Sequence, residues 1–422
     1  MKKVFANKNF ILLFVGDLVS SIGNSIYNFA IGLYIFEITE SPIQFSLYMA
    51  VGLIITLVLT PFCGVLADRF NKVRTIYITD LIRGIVIAAA GIIIFQGLTQ
   101  SNTMIVLYTC TIILSISSSL FQPSVDSLQV EVVDPDDLQS ANATLSMTTS
   151  IQMIIGLTIG GILYDSLGIN WIFIINGLTF IISGFSEMFI NHPFIKKEDK
   201  LTLKSGFIDF KIGIKYLVSK KGLMSLMIAA LFLNFAFIPL FATGFPYLFK
   251  VLLERSAVEY SFVQVAISVG TLIGAITIAN LAGKLNLMKS QYLGLSLMTI
   301  IFIGIALLFN MILAGSIGFK LFYILIISLM LIEGIINMYL NVPLSTAIAK
   351  SIDQEYRGRA FSVISTMSMC AVPIAFLLGG ILIESSSLQA LMVFSISVLL
   401  IIIFVFMTNK NIRQYLRNSD NV

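Results

Sequence analysis

Two acidic residues lie deep inside long apolar stretches of this sequence, where a charged side chain is costly and therefore informative. Glu333 lies near the middle of its stretch, and the nearest basic residue there, Lys320, is about 20 Å away along a helix. Asp17 lies roughly two turns into the first stretch. Because an ionised carboxylate in hydrocarbon costs several kcal/mol, both groups are candidates for binding and releasing a proton. The alternative is a carboxyl that hydrogen-bonds to a neighbouring helix and only stabilises packing.

Each carboxyl heads a row of polar residues that repeats with the period of a helix. Glu333 is followed by Asn337 and Asn341, at i+4 and i+8, so the three residues share one helix face. A comparable row in the first apolar stretch consists of Asp17, Ser21, Asn24 and Asn28. These rows predict a polar seam on each of two otherwise apolar helices.

A third charged group consists of Asp80 and Arg83, three residues apart and therefore on one helical face. We interpret them as a structural ion pair, since a satisfied pair is a poor proton carrier. Glu187 lies close to the polar segment that follows its apolar stretch. We expect it to reach interfacial water, and we assign it no role.

The sequence lacks the common catalytic and metal-binding patterns. It contains no G-x-x-x-x-G-K-[ST], H-E-x-x-H or G-x-S-x-G, which argues against an ATP-driven pump, a zinc protease and a serine hydrolase. The single histidine, His192, stands at a predicted helix end, where we interpret it as interfacial. Cys63, Cys110 and Cys370 show no paired spacing and are interpreted as small buried hydrophobic residues. We therefore expect no enzyme activity, no cofactor and no metal.

The elements that hold these residues follow from the composition, which is 57% hydrophobic and only 11% charged. A membrane-spanning helix needs about 20 consecutive apolar residues, whereas soluble domains are about 25% charged. The pattern predicts an all-α polytopic membrane protein with twelve transmembrane helices. These lie near residues 10–36, 44–66, 75–97, 103–125, 139–164, 171–190, 223–249, 260–282, 290–313, 319–345, 357–383 and 388–408.

The basic residues indicate how these helices are oriented. All but four of the 26 lysines and arginines fall on one side of the predicted spans. The exceptions are Lys250, Arg255 and Lys320 on the other side and Arg83 within a span. Because the basic side of a membrane protein is the cytoplasmic side, we expect both termini and the central polar segment to be cytoplasmic.

Related segments in the two parts of the chain indicate an internal duplication. GGILYD begins at Gly160 and GGILIE at Gly379, 219 residues later, and DPDDLQSANA matches DQEYRGRAFS at the same offset. The matches predict two parallel six-helix repeats, residues 1–190 and 223–422. The cytoplasmic linker 191–222 should contain an amphipathic helix, which we interpret as a simple connection rather than a lipid or partner site. Its apolar face consists of Phe207, Phe210, Ile214 and Leu217.

Three segments carry a family resemblance: GVLADRFNKVR at residues 64–74, PSVDSLQ…DLQSANA after the fourth span, and EYRGRAFS at the start of the eleventh. Together with the two six-helix halves, they resemble the major facilitator superfamily. The last two segments are similar to passages in its bacterial branch of macrolide-efflux and siderophore-export permeases. The resemblance implies the major facilitator fold and secondary transport by alternating access.

The segment GVLADRFNKVR is similar to the superfamily pattern G-x-L-x-D-R-x-G-R-R/K. The resemblance implies a conformational latch formed by Gly64, Asp68, Arg69 and Lys72. Asn71 replaces the glycine of the pattern, and because asparagine tolerates the left-handed backbone conformation, we expect the tight turn to survive. Alternatively, the basic residues only fix the orientation of the chain. We favour the latch for Asp68, and for Lys72 both interpretations stay open.

In the superfamily, the first, fourth, seventh and tenth helices line a central cavity, so the resemblance places both polar rows against the substrate. The candidate cavity residues are Asn24, Tyr27, Asn28, Ser118, Gln122, Asn234, Asn337 and Asn341. The fourth span has no arginine, so a proton route through such a residue, known in some drug–proton antiporters of the superfamily, cannot apply. A mostly neutral polar lining suits amphiphilic molecules better than phosphates or multiply charged acids.

These observations together predict a multidrug or macrolide-type efflux transporter, which exports amphiphilic molecules by proton antiport and contributes to antibiotic resistance. The first alternative is an exporter of siderophores or other endogenous metabolites, and a more remote one is a membrane receptor that does not transport. We expect a monomer in the cell membrane of a bacterium. Its partners would be the lipid bilayer, a small-molecule substrate and protons, without nucleic acid.

Overall fold

The computed structural model describes residues 7–67, 70–134, 137–193, 203–281 and 286–419. Within these ranges the chain is helical and contains no β-strand. Eleven of the described helices are long and apolar enough to cross a membrane, and the shorter apolar helix Gln152–Leu167 supplies the twelfth. The predicted all-α fold with twelve membrane helices is therefore confirmed.

The chain forms two compact units, which we describe separately. Unit 1 comprises Met1–Glu40, Leu47–Leu203 and Leu253–Ser261, and unit 2 comprises Ser41–Ser46, Lys204–Leu252 and Phe262–Val422. The predicted division at residues 190 and 222 stays a prediction. The helices with most of their length in unit 1 are α1 (Lys8–Thr39), α2 (Pro42–Ala67), α3 (Lys72–Phe95), α4 (Gln100–Val132), α5 (Leu138–Leu167) and α6 (Ile169–Glu187). Those of unit 2 are α7 (Leu203–Ser219), α8 (Lys221–Leu252), α9 (Ala257–Asn280), α10 (Leu287–Leu313), α11 (Phe319–Ser351), α12 (Arg357–Ser385), α13 (Leu388–Thr408) and α14 (Lys410–Ser419).

Small residues allow α1, α3 and α6 of unit 1 to approach closely. A Cβ atom on Gly84 of α3 would lie 2.7 Å from the carbonyl oxygen of Gly177 in α6. On α1, a Cβ atom on Gly16 would lie 2.9 Å from Glu187 Oε1, also on α6. Close backbone approach is what small residues provide between membrane helices, where the hydrophobic effect no longer drives association. The contact therefore places the charged residues of these three helices in one region.

The linker helix α7 packs on the first turns of α12 in unit 2. Arg359 Nε donates to Asp209 Oδ1 at 2.8 Å, and a Cβ atom on Gly213 would lie 2.6 Å from the carbonyl oxygen of Arg359. Leu217 is 1% exposed, whereas Ile214 is 41% exposed. Part of the apolar face thus packs against protein, which supports the interpretation of α7 as a linker; the side chain of Phe207 lies outside the described residues.

The internal repeat has a structural counterpart at two helix N-termini. In unit 1, the last residue of GGILYD, Asp165, accepts the backbone N–H groups of Ala257 and Val258 at 3.0 and 2.9 Å. In unit 2, the last residue of GGILIE, Glu384, accepts the Ser41 hydroxyl at 2.6 Å and the Ile43 N–H at 2.9 Å. The residue between Ser41 and Ile43 is a proline without an N–H group, so the serine hydroxyl replaces the missing donor. We call these two arrangements the carboxylate clamps.

Candidate functional site

Glu333 is buried in unit 2 on α11 and has little hydrogen bonding. The residue is 3% exposed, and its Oε1 atom accepts a long hydrogen bond of 3.5 Å from Asn337 Nδ2. Its Oε2 atom has no hydrogen-bond partner among the described residues. Asn341 Nδ2 continues the row by donating to Asn337 O at 3.0 Å and Oδ1 at 2.8 Å. The polar row is therefore a connected ladder that ends at a buried carboxyl.

The position of Glu333 is set by a close contact between α11 and α9. A Cβ atom on Gly334 would lie 2.3 Å from the carbonyl oxygen of Ile267, and one on Gly270 would lie 2.2 Å from that of Leu331. These glycines let the two backbones touch next to the carboxyl. No ion pair to Glu333 exists among the described residues, and a buried carboxylate without a counter-charge is costly. The neutral, protonated carboxyl needs no counter-charge, so this group is suited to carry a proton.

A second polar centre lies in unit 1 around Arg83. The guanidinium forms an ion pair with Asp80 on the same helix, and its carbon lies 4.0 Å from the ring centre of Phe121 and 4.7 Å from that of Phe180. Asp17 on α1 is half-buried, accepts a hydrogen bond from Ser21 at 3.3 Å and interacts electrostatically with Arg83. The structure thus joins the predicted ion pair and the predicted proton-coupling residue in one network.

Glu187 belongs to the same centre, which the sequence did not indicate. It is 0% exposed and accepts a hydrogen bond from Ser183 Oγ at 3.3 Å. The expectation that Glu187 reaches interfacial water is wrong, because the last turns of α6 pack on Gly16 of α1 and shield the side chain. The spacing of Ser183 and Glu187, one helical turn apart, is the one signal in the sequence that could have suggested a role.

The predicted latch is described only in part, since Asp68 and Arg69 lie outside the described residues. Among the residues that the structure describes, no atom would lie within 4 Å of a Cβ atom on Gly64. Lys72 is buried and forms an ion pair with Glu131 Oε1, and Glu131 Oε2 lies 3.2 Å from His192 Nε2. These contacts connect α3, α4 and the segment after α6 within unit 1. They support a packing role for Lys72.

Asn71 does not adopt the left-handed conformation that we expected. Its φ is −65° and ψ is 110°, and its side chain accepts the backbone N–H of Arg74 at 3.0 Å. The residue is therefore the N-cap of α3, and asparagine is among the residues preferred there. Asn71 therefore caps α3 at the position where the superfamily pattern has a glycine.

The candidate cavity residues differ in their exposure. Asn24, Ser118, Asn234 and Asn337 are half-buried, and Asn28, Gln122 and Asn341 are exposed. Tyr27 is the exception, because it is 2% exposed and packs edge-on to Phe173, with its hydroxyl 3.4 Å from that of Tyr48. Tyr27 is thus a core residue of unit 1, and we leave it out of the proposed lining.

The three cysteines differ in their exposure. Cys63 and Cys110 are buried, whereas Cys370 is exposed, so the prediction that all three are buried is wrong for Cys370. Within the described ranges, no group of three or more histidine, cysteine, aspartate or glutamate side chains has the geometry to hold a metal ion.

The chain is similar to known proteins in both fold and sequence. The fold is similar to the crystal structure of a bacterial homologue of the iron transporter ferroportin in its inward-facing state, with a TM-score of 0.75, 16% identity, and coverage of 96% of this chain and 98% of that one. The sequence is 26% identical over 379 residues to macrolide efflux protein A of Streptococcus pyogenes, which covers 88% of each chain. It is also 27% identical over 289 residues to the uncharacterized transporter YkuC of Bacillus subtilis, an alignment that covers 65% of this chain and 64% of that protein.

The family model described as Major Facilitator Superfamily matches residues 13–342, which is most of the chain. The match agrees with the fold and the twelve helices. The protein is a membrane-embedded transporter that belongs to the Major Facilitator Superfamily.

Proposed function

We propose that the protein exports amphiphilic small molecules, macrolide-type drugs among them, in exchange for protons. The observation that carries the proposal is the ladder of Asn341, Asn337 and Glu333, which ends at a buried carboxyl oxygen without a partner among the described residues. The similarity of the chain to macrolide efflux protein A supports the proposed substrate class.

The carboxyl of Glu333 can bind or release a proton when its access to water changes, and the reason is electrostatic. When protein and hydrocarbon surround it, the neutral form is favoured because an unpaired charge there costs several kcal/mol. When the carboxyl becomes accessible to water from one side of the membrane, the water solvates its ionised form and the proton leaves. Binding of the proton from the other side then completes an exchange, provided that the two openings alternate.

The neutral polar groups beside Glu333 suit a large amphiphile. Asn337 and Asn341 offer amide donors and acceptors on a helix whose other faces are apolar. A substrate with scattered hydroxyl and carbonyl groups on an apolar frame can use such a surface without a counter-charge. We further propose that the transporter lies in a bacterial cell membrane with both termini cytoplasmic, and that export of drugs gives antibiotic resistance.

The test is uptake of a labelled macrolide into inside-out vesicles that contain the full chain and an imposed proton gradient. We expect uptake that collapses with a protonophore and is abolished in Glu333→Gln. The control variant is Glu355→Gln, since Glu355 is an exposed carboxyl in a short turn. Absence of uptake across several macrolides would contradict the substrate class. Uptake that persists both after collapse of the gradient and in Glu333→Gln would contradict the coupling.

A further inference from the structure

Three carboxyl groups of unit 1 surround a single arginine in the membrane-spanning part of the chain. Asp80 forms an ion pair with Arg83, and Asp17 and Glu187 interact electrostatically with the same guanidinium. If all three carboxyls were ionised, two negative charges would stay uncompensated in an apolar region. Since each uncompensated charge costs several kcal/mol there, the cluster must hold protons.

Arg83 forms its ion pair with Asp80 and is held there by further contacts, so it does not pair equally with the other carboxyls. Besides the ion pair, its Nε atom donates to the carbonyl oxygen of Thr79 at 3.4 Å. The guanidinium also lies over the rings of Phe121 and Phe180, contacts that stabilise a cation in place. The excess negative charge therefore belongs to Glu187 and Asp17.

Glu187 is as fully buried as Asp80 and is incompletely bonded. It is 0% exposed, and within the described part of the chain its Oε1 atom accepts a hydrogen bond from Ser183 Oγ. Glu187 Oε2 and Asp80 Oδ2 are both buried without a partner among the described residues, and the two carboxyls repel each other. A proton on Glu187 removes this repulsion and the uncompensated charge together.

A glycine on the neighbouring helix α1 leaves space for the Glu187 carboxyl. A Cβ atom on Gly16 would lie 2.9 Å from Glu187 Oε1 and 3.0 Å from Ser183 Oγ, so a larger residue there would displace these two side chains. A simple packing role would be served better by an apolar residue at position 187, since replacing buried charges with apolar side chains is often stabilising. The arrangement favours a group that is present for its proton.

Asp17 connects this buried group to the polar seam of α1. It is half-buried and accepts a hydrogen bond from Ser21, and the carboxylate of the exposed Asp126 on α4 repels it. The charged groups that face the cluster are thus Asp17 from α1, Asp80 and Arg83 from α3, Asp126 from α4, and Glu187 itself from α6.

We propose that Glu187 is a second proton-binding group of this transporter, held beside the Asp80–Arg83 pair and reached through Asp17. The inference rests on the proposed proton coupling, but it assigns the proton to a different unit from Glu333.

The test is infrared difference spectroscopy of the purified full chain during a pH titration in H2O and in D2O. A protonated carboxyl has a C=O stretching band that a carboxylate lacks. We expect Glu187→Gln to lose one such band that persists in Glu333→Gln and in Glu355→Gln. The number of protons bound per chain on acidification should fall by one in Glu187→Gln.

Ser183→Ala is the second variant, because it removes the donor to Glu187 and keeps the carboxyl. We expect the assigned band to shift in Ser183→Ala. The inference would be overturned if correctly folded Glu187→Gln kept every carboxyl band of the wild-type spectrum. It would also be overturned if the spectrum of Ser183→Ala were the same as that of the wild type. These measurements need no substrate, so failure of macrolide transport would refute the proposed function without affecting this result.

Discussion

Asp165→Asn and Glu384→Gln test whether the two carboxylate clamps stabilise the helix ends that they contact. Each carboxylate accepts two hydrogen bonds at the first turn of a helix, where the backbone N–H groups and the helix dipole favour a negative charge. The amide side chain keeps one acceptor oxygen and loses the charge. A hydrogen bond to a charged group contributes about 1.5–3 kcal/mol, and the dipole interaction about 0.3–1 kcal/mol.

Because Asp165 and Glu384 are both exposed, solvent screening reduces these values. We expect each substitution to lower the free energy of unfolding by about 1–2 kcal/mol. Ser41→Ala should have a smaller effect than Glu384→Gln, since it removes one of the two donors and keeps the Ile43 bond. The clamps share no partner, so the effects of Asp165→Asn and Glu384→Gln should add within about 0.5 kcal/mol.

The assay is thermal unfolding of the purified chain in one detergent, with Glu355→Gln as the exposed-carboxyl control. Unfolding midpoints that do not change in either clamp variant would refute the reasoning. A Ser41→Ala effect as large as that of Glu384→Gln would also contradict it, because the backbone N–H of Ile43 would then contribute nothing.

Further substitutions probe the packing of unit 1, and the effect of each is measured as thermal stability in the same detergent. Gly84→Ala should destabilise by about 1–3 kcal/mol, since its Cβ would lie 2.7 Å from a backbone carbonyl of α6, whereas Gly64→Ala, with open space around it, should be close to neutral. Asn71→Ala should cost about 1 kcal/mol through the lost cap and Asn71→Gly only a few tenths; a clear stabilisation by glycine would contradict the cap. Glu131→Gln should cost about 2–3 kcal/mol, because it leaves the buried Lys72 without its counter-charge, and adding Lys72→Met should restore much of the loss. A Glu131→Gln variant as stable as the original chain would show that the pair contributes nothing.

Much of the fold could be predicted from local patterns in the sequence. A membrane helix must satisfy its own backbone hydrogen bonds and match the thickness of the bilayer, so length and apolar composition are enough to find it. The polar row of Glu333, Asn337 and Asn341 was predictable for a related reason, since residues one turn apart on one helix must share a face. The pairing of Asp80 with Arg83 follows from the same periodicity.

Three outcomes that the sequence did not predict involve a partner from another part of the chain. Glu187 was expected near water and is buried because Gly16, 171 residues earlier, leaves room for it on α1. Tyr27 was expected in a cavity and packs on Phe173 of α6. Lys72 pairs with Glu131, which is 59 residues away. Periodicity gives no information about which neighbour a helix face meets.

By itself, the sequence determined the helix count and the polar rows, because each of these depends on interactions within one helix. Only the tertiary structure decided which carboxyls are shielded together and which amides the clamps bind. Close contacts between membrane helices depend on where small residues of different helices coincide, and that coincidence exists only once the helices have packed.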